Sequence, residues 1–446
     1  MTRHHLLLCT LLLTLFGGAE ASAQGIPAAP DSCNPVFEGI VPLRTPNFDQ
    51  AAIWKRTLGV QGIDRPRALM RVADDGVISV GESTPYTEKE GFQSPRLQMI
   101  RVAKDGKILV DKLTDIEHLE NVVDALLQKT RVVALVHLVE GTTHRAALVY
   151  LDGKGEKRGQ KIINDPDRQI TPVGFVALDD GSFVILAEGR VKKSIASPPT
   201  TILMWVNQDG NVRATKEYMP GVDTIPSSIH KTPHGDLVMS GRIKTEKGNH
   251  AGWVLVTETD GNLVMQHPYS RGAEATLREA IGLRDGGLLA IGDAIPSGTG
   301  DKAAWVVKTD SSGMSVWQKF LTGKYSYAAV DLAQLDDGRV MTLWAASPTS
   351  FGGRRFARLV TFSEEGAILN DESFLEGSNS IPFRLIENKD TRVVLGMAET
   401  GFAQNKTDDQ MQYVTYDSWI MALPDLPVYH NPCASAPDRK LDDLPE

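Results

Sequence analysis

The feature that most restricts the fold is a doublet of hairpins that recurs about every 52 residues, seven times over. Asp-Gly is the strongest short signal for a tight turn between apolar arms. It occurs eight times in strand-like surroundings, at 75–76, 105–106, 152–153, 180–181, 209–210, 260–261, 285–286 and 337–338. The turns fall into two alternating series. One runs through Gly76, near Thr130, Gly181, Gly235, Gly286, Gly338 and near Asp390, at intervals of 54, 51, 54, 51, 52 and 52 residues. The other runs through Gly106, near Gly155, Gly210, Gly261, Gly313, Gly366 and near Leu426. Arms such as "VGFVALDDGSFVILAEG" and "GWVLVTETDGNLVMQHPY" are short, β-branched and punctuated by glycine, a strand period and not a helical one. Four short strands per repeat predict an all-β fold, a seven-bladed β-propeller. A β-sandwich would not repeat at constant spacing, and a solenoid uses shorter units with terminal caps.

The seventh repeat ends on its third strand, "DSWIMALPDLPV" at 417–428, with no fourth strand after it. The missing strand is written at the other end of the chain. "AAIWKRTLGVQG", residues 51–62, repeats the Trp, basic, Leu and Gly order of the fourth-strand phrase "SVWQKFLTG". The first strand is therefore expected to complete the last blade and remove an open edge. The expected organisation is a signal peptide over 1–23, an N-terminal segment over 24–50, the propeller over 51–433 and a tail over 434–446.

Arg3 precedes an apolar run from Leu6 to Phe16 that closes on Ala21-Ser22-Ala23, the pattern of a secretory signal cut before Gln24. The run is too short to span a bilayer, and Cys9 lacks the preceding small residues of a lipoprotein anchor. A periplasmic or secreted, soluble and monomeric protein is expected. In an oxidising compartment the two remaining cysteines, Cys33 and Cys433, should form a disulfide that ties the two ends together. The formal net charge of −9 argues against nucleic acid, which needs a basic footprint.

Trp305, Lys308, Asp310, Gly313 and Trp317 spell W-x-x-K-x-D-x-x-G-x-x-x-W. This resembles bacterial β-propeller repeat proteins with blades of that type, one repeat carrying the pattern in full and the others in part. The resemblance implies fold. It is superficially similar to the pyrroloquinoline-quinone propeller motif as well, but Asp310 to Gly313 is one residue short and the Thr is missing. No quinone or other cofactor is expected.

Zinc-protease, Cys-x-x-Cys, nucleophile-elbow and P-loop patterns are absent from the sequence. The histidines are scattered, and His230 and His234, four apart across a turn, are too far separated for one metal. They read as surface or packing residues, and no metal site is expected. The Asp residues of the Asp-Gly pairs are explained by turn chemistry. Asn405-Lys406-Thr407 matches a glycosylation sequon.

Geometry offers more. Both hairpins of a blade close in tight turns, so the longer connections at 84–96, 191–200, 295–302, 347–355 and 400–416 gather on one rim, where binding usually resides. Arg354 and Arg355 are its candidate contacts. First strands line a propeller's channel, and Arg67, Asp124, Arg278, Glu279, Asp331 and Arg384 on or entering them are the candidate ligand-binding residues at its mouth. The expected function is a non-catalytic scaffold that binds a protein or glycan through its rim. The alternatives are a lyase or hydrolase acting on carbohydrate at the channel mouth, and a cell-envelope assembly or adhesion component. If the terminal cysteines are bonded, neither Cys33 nor Cys433 in the exported, non-reduced protein will react with an alkylating reagent. Labelling of either removes the bond.

Overall fold

The computed structural model describes residues 38–49, 51–192, 198–270, 274–295, 303–349, 353–404, 412–427 and 429. The signal segment, Cys33, Cys433, the C-terminal tail and the sequon at Asn405 lie outside the described residues. Every regular element among the described residues is a strand.

Local chemistry accounts for the hairpins. In the second series of turns, glycine occupies the left-handed region, with φ of 81° at Gly106, 78° at Gly210 and 84° at Gly261. The Gly106 N–H donates to the Ala103 carbonyl at 2.9 Å, and the Ala103 N–H donates to Lys107 at 2.8 Å. The ladder shifts register beside each of these turns, for example at Arg101/Val102 and Trp205/Val206. A glycine bulge at the turn is the usual way to close a three-residue hairpin loop without splaying the arms.

The strands assemble into antiparallel groups of four, numbered here along the chain. Group two is Leu119–Gln128, Arg131–Glu140, Thr143–Leu151 and Lys157–Ile163. Group three is Arg168–Ala177, Phe183–Val191, Thr200–Val206 and Val212–Tyr218. Group four is Thr224–Lys231, Leu237–Lys244, His250–Thr257 and Leu263–Tyr269. Group five is Ala275–Gly282, Leu288–Ala294, Ala303–Thr309 and Ser315–Thr322; group six is Tyr325–Gln334, Val340–Pro348, Phe356–Phe362 and Ile368–Phe374. Group one (Gly62–Arg71, Val77–Thr87, Arg96–Val102, Ile108–Thr114) touches group seven (Ser380–Asn388, Thr391–Gln404, Gln412–Pro424) through one parallel pair, Ile63 with Tyr416. Strand Trp54–Leu58 pairs antiparallel with Gln412–Pro424, Trp54 facing Ala422 and Leu58 facing Ser418. The first strand of each group packs beside the first strand of the next, and Ser380–Asn388 lies against Gly62–Arg71.

One element differs from expectation. The strand at Trp54 is not the first among the described residues, because Glu38–Pro42 precedes it and pairs in parallel with Ser315–Thr322. It makes group five a five-stranded sheet. The following residues are pinned to group six: buried Arg358 grips Asp371 at 2.6 Å and donates to the Arg44 carbonyl at 2.7 Å, and Phe48 meets Phe356 edge-on at 5.3 Å. "EGIVP" is too short and too polar to announce a strand, and its place is set by the partner edge.

The core lies between the sheets. Trp253, Trp305, Trp317, Trp344 and Trp419 are fully buried. Trp317 Nε1 donates to the Glu364 carbonyl of the next group at 2.8 Å, so even the polar edge of the indole is satisfied across a sheet interface. One apolar cluster joins Trp54, Leu58, Val393, Leu395, Ile420 and Ala422 to Leu69, Val77, Ile100 and Val102 of group one. Within it Trp54 stacks on the Gly106 turn, where a Cβ would come 2.8 Å from its ring, and Nε1 donates to the Lys104 carbonyl at 2.8 Å. Trp54→Ala should therefore cost about 3–5 kcal/mol, the usual range for removing a buried aromatic, measured as a shift of the denaturant midpoint.

Candidate functional site

The site follows from an irregularity shared by all seven first strands. Each carries a register shift at the same point: Pro66/Ala68, Val122/Asp124, Pro172/Gly174, Pro226/Ser228, Leu277/Glu279, Ala329/Asp331 and Pro382/Arg384. A bulge inserts one residue and re-aims the side chain that follows. In four strands that next residue is ionisable: Asp124, Glu279, Asp331 and Arg384. Proline stands before the bulge in four strands as well, where its missing N–H is no loss to the ladder.

The backbone N–H groups beside two bulges are taken up by carboxylates of the neighbouring group. Leu385 N–H donates to Asp331 Oδ2 at 2.7 Å, and Val122 N–H donates to Glu82 Oε2 at 3.0 Å. Asp331 Oδ1 accepts its own neighbour's N–H, Leu332, at 2.9 Å, so the carboxylate is held by backbone at both oxygens. Asp124 Oδ1 accepts the Ala125 N–H at 2.8 Å.

Asp124, Asp331 and Glu279 act together on Arg384 and on a histidine read from sequence as a surface or packing residue. His230 Nε2 is hydrogen-bonded to Glu279 Oε1. The imidazole keeps 37% of its side-chain surface open while Glu279 keeps 9%, so solvent reaches the pair from the histidine side. Burial acts to lower the His230 pKa. The Glu279 charge and hydrogen bond, with Asp331 beyond, outweigh burial and the opposing Arg384, so the net shift is upward. Burial pushes Asp331 up to about 6, although the Arg384 guanidinium pulls the other way. Burial raises Asp124 too, again opposed by Arg384 and by the Ala125 N–H. Burial would weaken the Arg384 charge, but Asp331, Asp124 and Glu279 together strengthen its hold on the proton. Five ionisable side chains from groups two, four, five, six and seven thus share one electrostatic environment.

Of the six channel residues expected, four belong to this cluster. Arg67 stands apart, paired with buried Glu82 at 2.8 Å and lying over the Phe383 ring at 5.5 Å. Arg278 is the bulged residue itself, with 53% of its side chain exposed and Asp293 at 3.6 Å. Arg354 and Arg355 are exposed, and the Arg355 N–H donates to Asn379 Oδ1 at 2.8 Å. His234 lies in the turn closed by Thr232 and Asp236, away from His230. The signal that could have found His230 is its position two residues after the post-bulge Ser228, on the same strand face. Among the described residues no group of three His, Cys, Asp or Glu side chains is arranged to hold a metal, and no helix is long and apolar enough to cross a membrane.

No protein-family model and no curated protein sequence matches the chain. Its likeness is to solved structures. A polysaccharide lyase of family PL25, an ulvan lyase bound to a GlcA–Rha3S unit, aligns with a TM-score of 0.51 at 8% identity, covering 81% of this chain and 95% of the other. The Hadza microbial sialidase Hz136 aligns at 0.44 with 11% identity, covering 88% and 98%. Drosophila Plexin A, in complex with Semaphorin 1b, aligns at 0.46 with 7% identity, covering 84% and 88%. At such identities the likeness establishes an all-β, propeller-like fold and nothing about chemistry.

The upward shift of His230 gives a signed expectation. Its contribution to stability is complete below the ordinary histidine pKa of about 6.5 and is lost as pH rises through the raised folded value. In an NMR titration the His230 midpoint should lie above that of a free imidazole and fall below it in Glu279→Gln, where burial dominates. Equal midpoints in the two proteins would show that Glu279 does not set the charge.

Proposed function

We propose that the chain is an exported seven-bladed β-propeller, its last blade completed by Trp54–Leu58, that binds a polar glycan segment at the centre of the ring. The convergence of Asp124, His230, Glu279, Asp331 and Arg384 carries this reading. Five ionisable groups taken out of bulk water contribute little to stability, and such clusters gather at functional sites. Hydroxyl-rich sugar matches them, since each carboxylate can accept and Arg384 can donate. The propeller domain is taken as 51–433 and its surroundings as periplasmic or extracellular. Arg354 and Arg355 offer contacts to a larger partner, whether a protein, a longer glycan or an envelope assembly, on the loop-bearing rim.

A second reading, a lyase or hydrolase acting on carbohydrate, is favoured by one observation, the His230–Glu279 hydrogen bond. A carboxylate on Nε2 fixes the imidazole's orientation and leaves Nδ1 to exchange a proton with a ligand. The fold accommodates either reading.

A glycan array followed by titration of the best binder separates these ideas. Arg384→Gln and Glu279→Gln should each weaken binding about tenfold or more, the loss of one charge-assisted hydrogen bond of about 1.5–3 kcal/mol. Arg354→Ala with Arg355→Ala should leave binding of short oligosaccharides intact. Loss of binding through the rim pair alone would move the site to the rim. New unsaturated or reducing ends on the bound glycan would identify the enzyme, and an unchanged glycan the scaffold.

A further inference from the structure

The seam between groups seven and one carries two acids that lack a counter-charge. Strand Trp54–Leu58 ends at Gly59, and the chain then turns into Gly62–Arg71. Asp64, on that next strand, is fully buried, and its Oδ2 accepts the Val60 N–H at 3.1 Å. Its Oδ1 has no hydrogen-bond partner of normal geometry, with the Ser83 hydroxyl opposite it across the ladder. Asp417, from Gln412–Pro424, reaches the same turn. A Cβ on Gly59 would stand 2.3 Å from Asp64 Oδ2 and 2.5 Å from Asp417 Oδ1. The two carboxyl groups therefore converge on a backbone position with room for hydrogen alone.

The charges acting on Asp64 are Asp417 and Asp111, both acids, and Asp111 is itself tied to Gln98 Nε2 at 3.1 Å. Asp417 is met by the Thr400 hydroxyl. Both cations of the strand are engaged elsewhere, Lys55 with Glu376 at 2.7 Å and Arg56 Nε with the Gly106 carbonyl at 2.7 Å.

We propose that Asp64 and Asp417 share a proton, and that this proton locks the N-terminal strand into the seam. Two carboxylates this close in a buried site cannot both ionise at little cost. Burial, opposed by the Ser83 hydroxyl and the Val60 N–H and reinforced by the Asp417 and Asp111 charges, pushes Asp64 up to about 7. Burial raises Asp417 too. Loss of the proton sets two negative charges against each other across Gly59, the residue through which the strand leaves group seven. The proposal concerns the fastening of the ring and is independent of what the centre binds.

The sign follows from linkage. An acid whose folded pKa is raised adds nothing unfavourable below its unfolded value of about 4. It then destabilises progressively as pH rises to the folded value, and levels off above it. The test compares wild type with Asp64→Asn from pH 4.5 to 8.5. The wild-type melting temperature should fall relative to the variant up to about pH 7 and run parallel above it. Amide exchange in residues 54–58, corrected for intrinsic rate, should accelerate in the wild type by up to about tenfold per pH unit in that window and less steeply in the variant, which keeps Asp417 alone. If Asp64→Asn does not fold, Asp417→Asn serves instead: it keeps Asp64, removes the repulsion, and should move the breakpoint to lower pH. Parallel melting profiles, or exchange at 54–58 that ignores pH, would overturn the lock, as would an unmoved breakpoint in Asp417→Asn.

Discussion

Everything in this fold depends on sheets that are apolar on both faces. The second and third strands of each group are buried almost throughout, as in Arg131–Glu140 and Phe356–Phe362. A four-stranded sheet of this composition cannot stand with one face in water, so each needs a neighbour on both sides. A linear stack would leave two terminal faces bare, and a ring leaves none. The packing of Trp54, Leu58, Ile420 and Ala422 against Leu69, Val77 and Ile100 supplies neighbours for the two faces that a stack would leave open. Once faces are matched in this way, the first strands must crowd toward a common centre. The bulges are the local adjustment that this crowding accompanies.

The consequence for the site is that its residues are held by the scaffold and not by loops. Asp331 is fixed by two backbone N–H groups, one of them from the next group. Arg384 and Asp124 follow bulges that set their direction, and Glu279 is nearly closed off from water. Asp331 and Glu279 are buried, while His230, Asp124 and Arg384 keep part of their surface open. An electrostatic pattern preset in this way reduces the reorganisation that binding or proton transfer at the cluster would require.

Much of the fold was legible because turn chemistry is local. Asp-Gly between apolar arms announces a hairpin wherever it occurs, and its recurrence announces the repeat. The echo of "SVWQKFLTG" in "AAIWKRTLGVQG" was legible for the same reason, and Trp54–Leu58 pairs antiparallel with Gln412–Pro424. The strand Glu38–Pro42 was not, since it is specified by the edge of Ser315–Thr322 and by Arg358 gripping the Arg44 carbonyl, more than 300 residues away in sequence. The site was half legible. Charged residues on first strands could be counted, but alternation alone cannot say whether Arg278 or Glu279 turns inward. The bulge decides which of the two is paired, by adding Arg278 to the strand and setting Glu279 opposite Ile291. His230 was passed over because its partner Glu279 comes from another repeat.

The parallel pairing of Glu38–Pro42 with Ser315–Thr322 has a mechanical consequence. The N-terminal segment is fastened first to group five, then through Arg44 and Phe48 to group six, and only afterwards reaches group seven at Trp54. Tension applied from the N-terminal side is borne by the five-residue ladder on group five and by the Arg358 grip before it reaches the seam. Whatever precedes Glu38 can therefore be pulled, or carry a tethered load, while the joint at Trp54 stays unloaded.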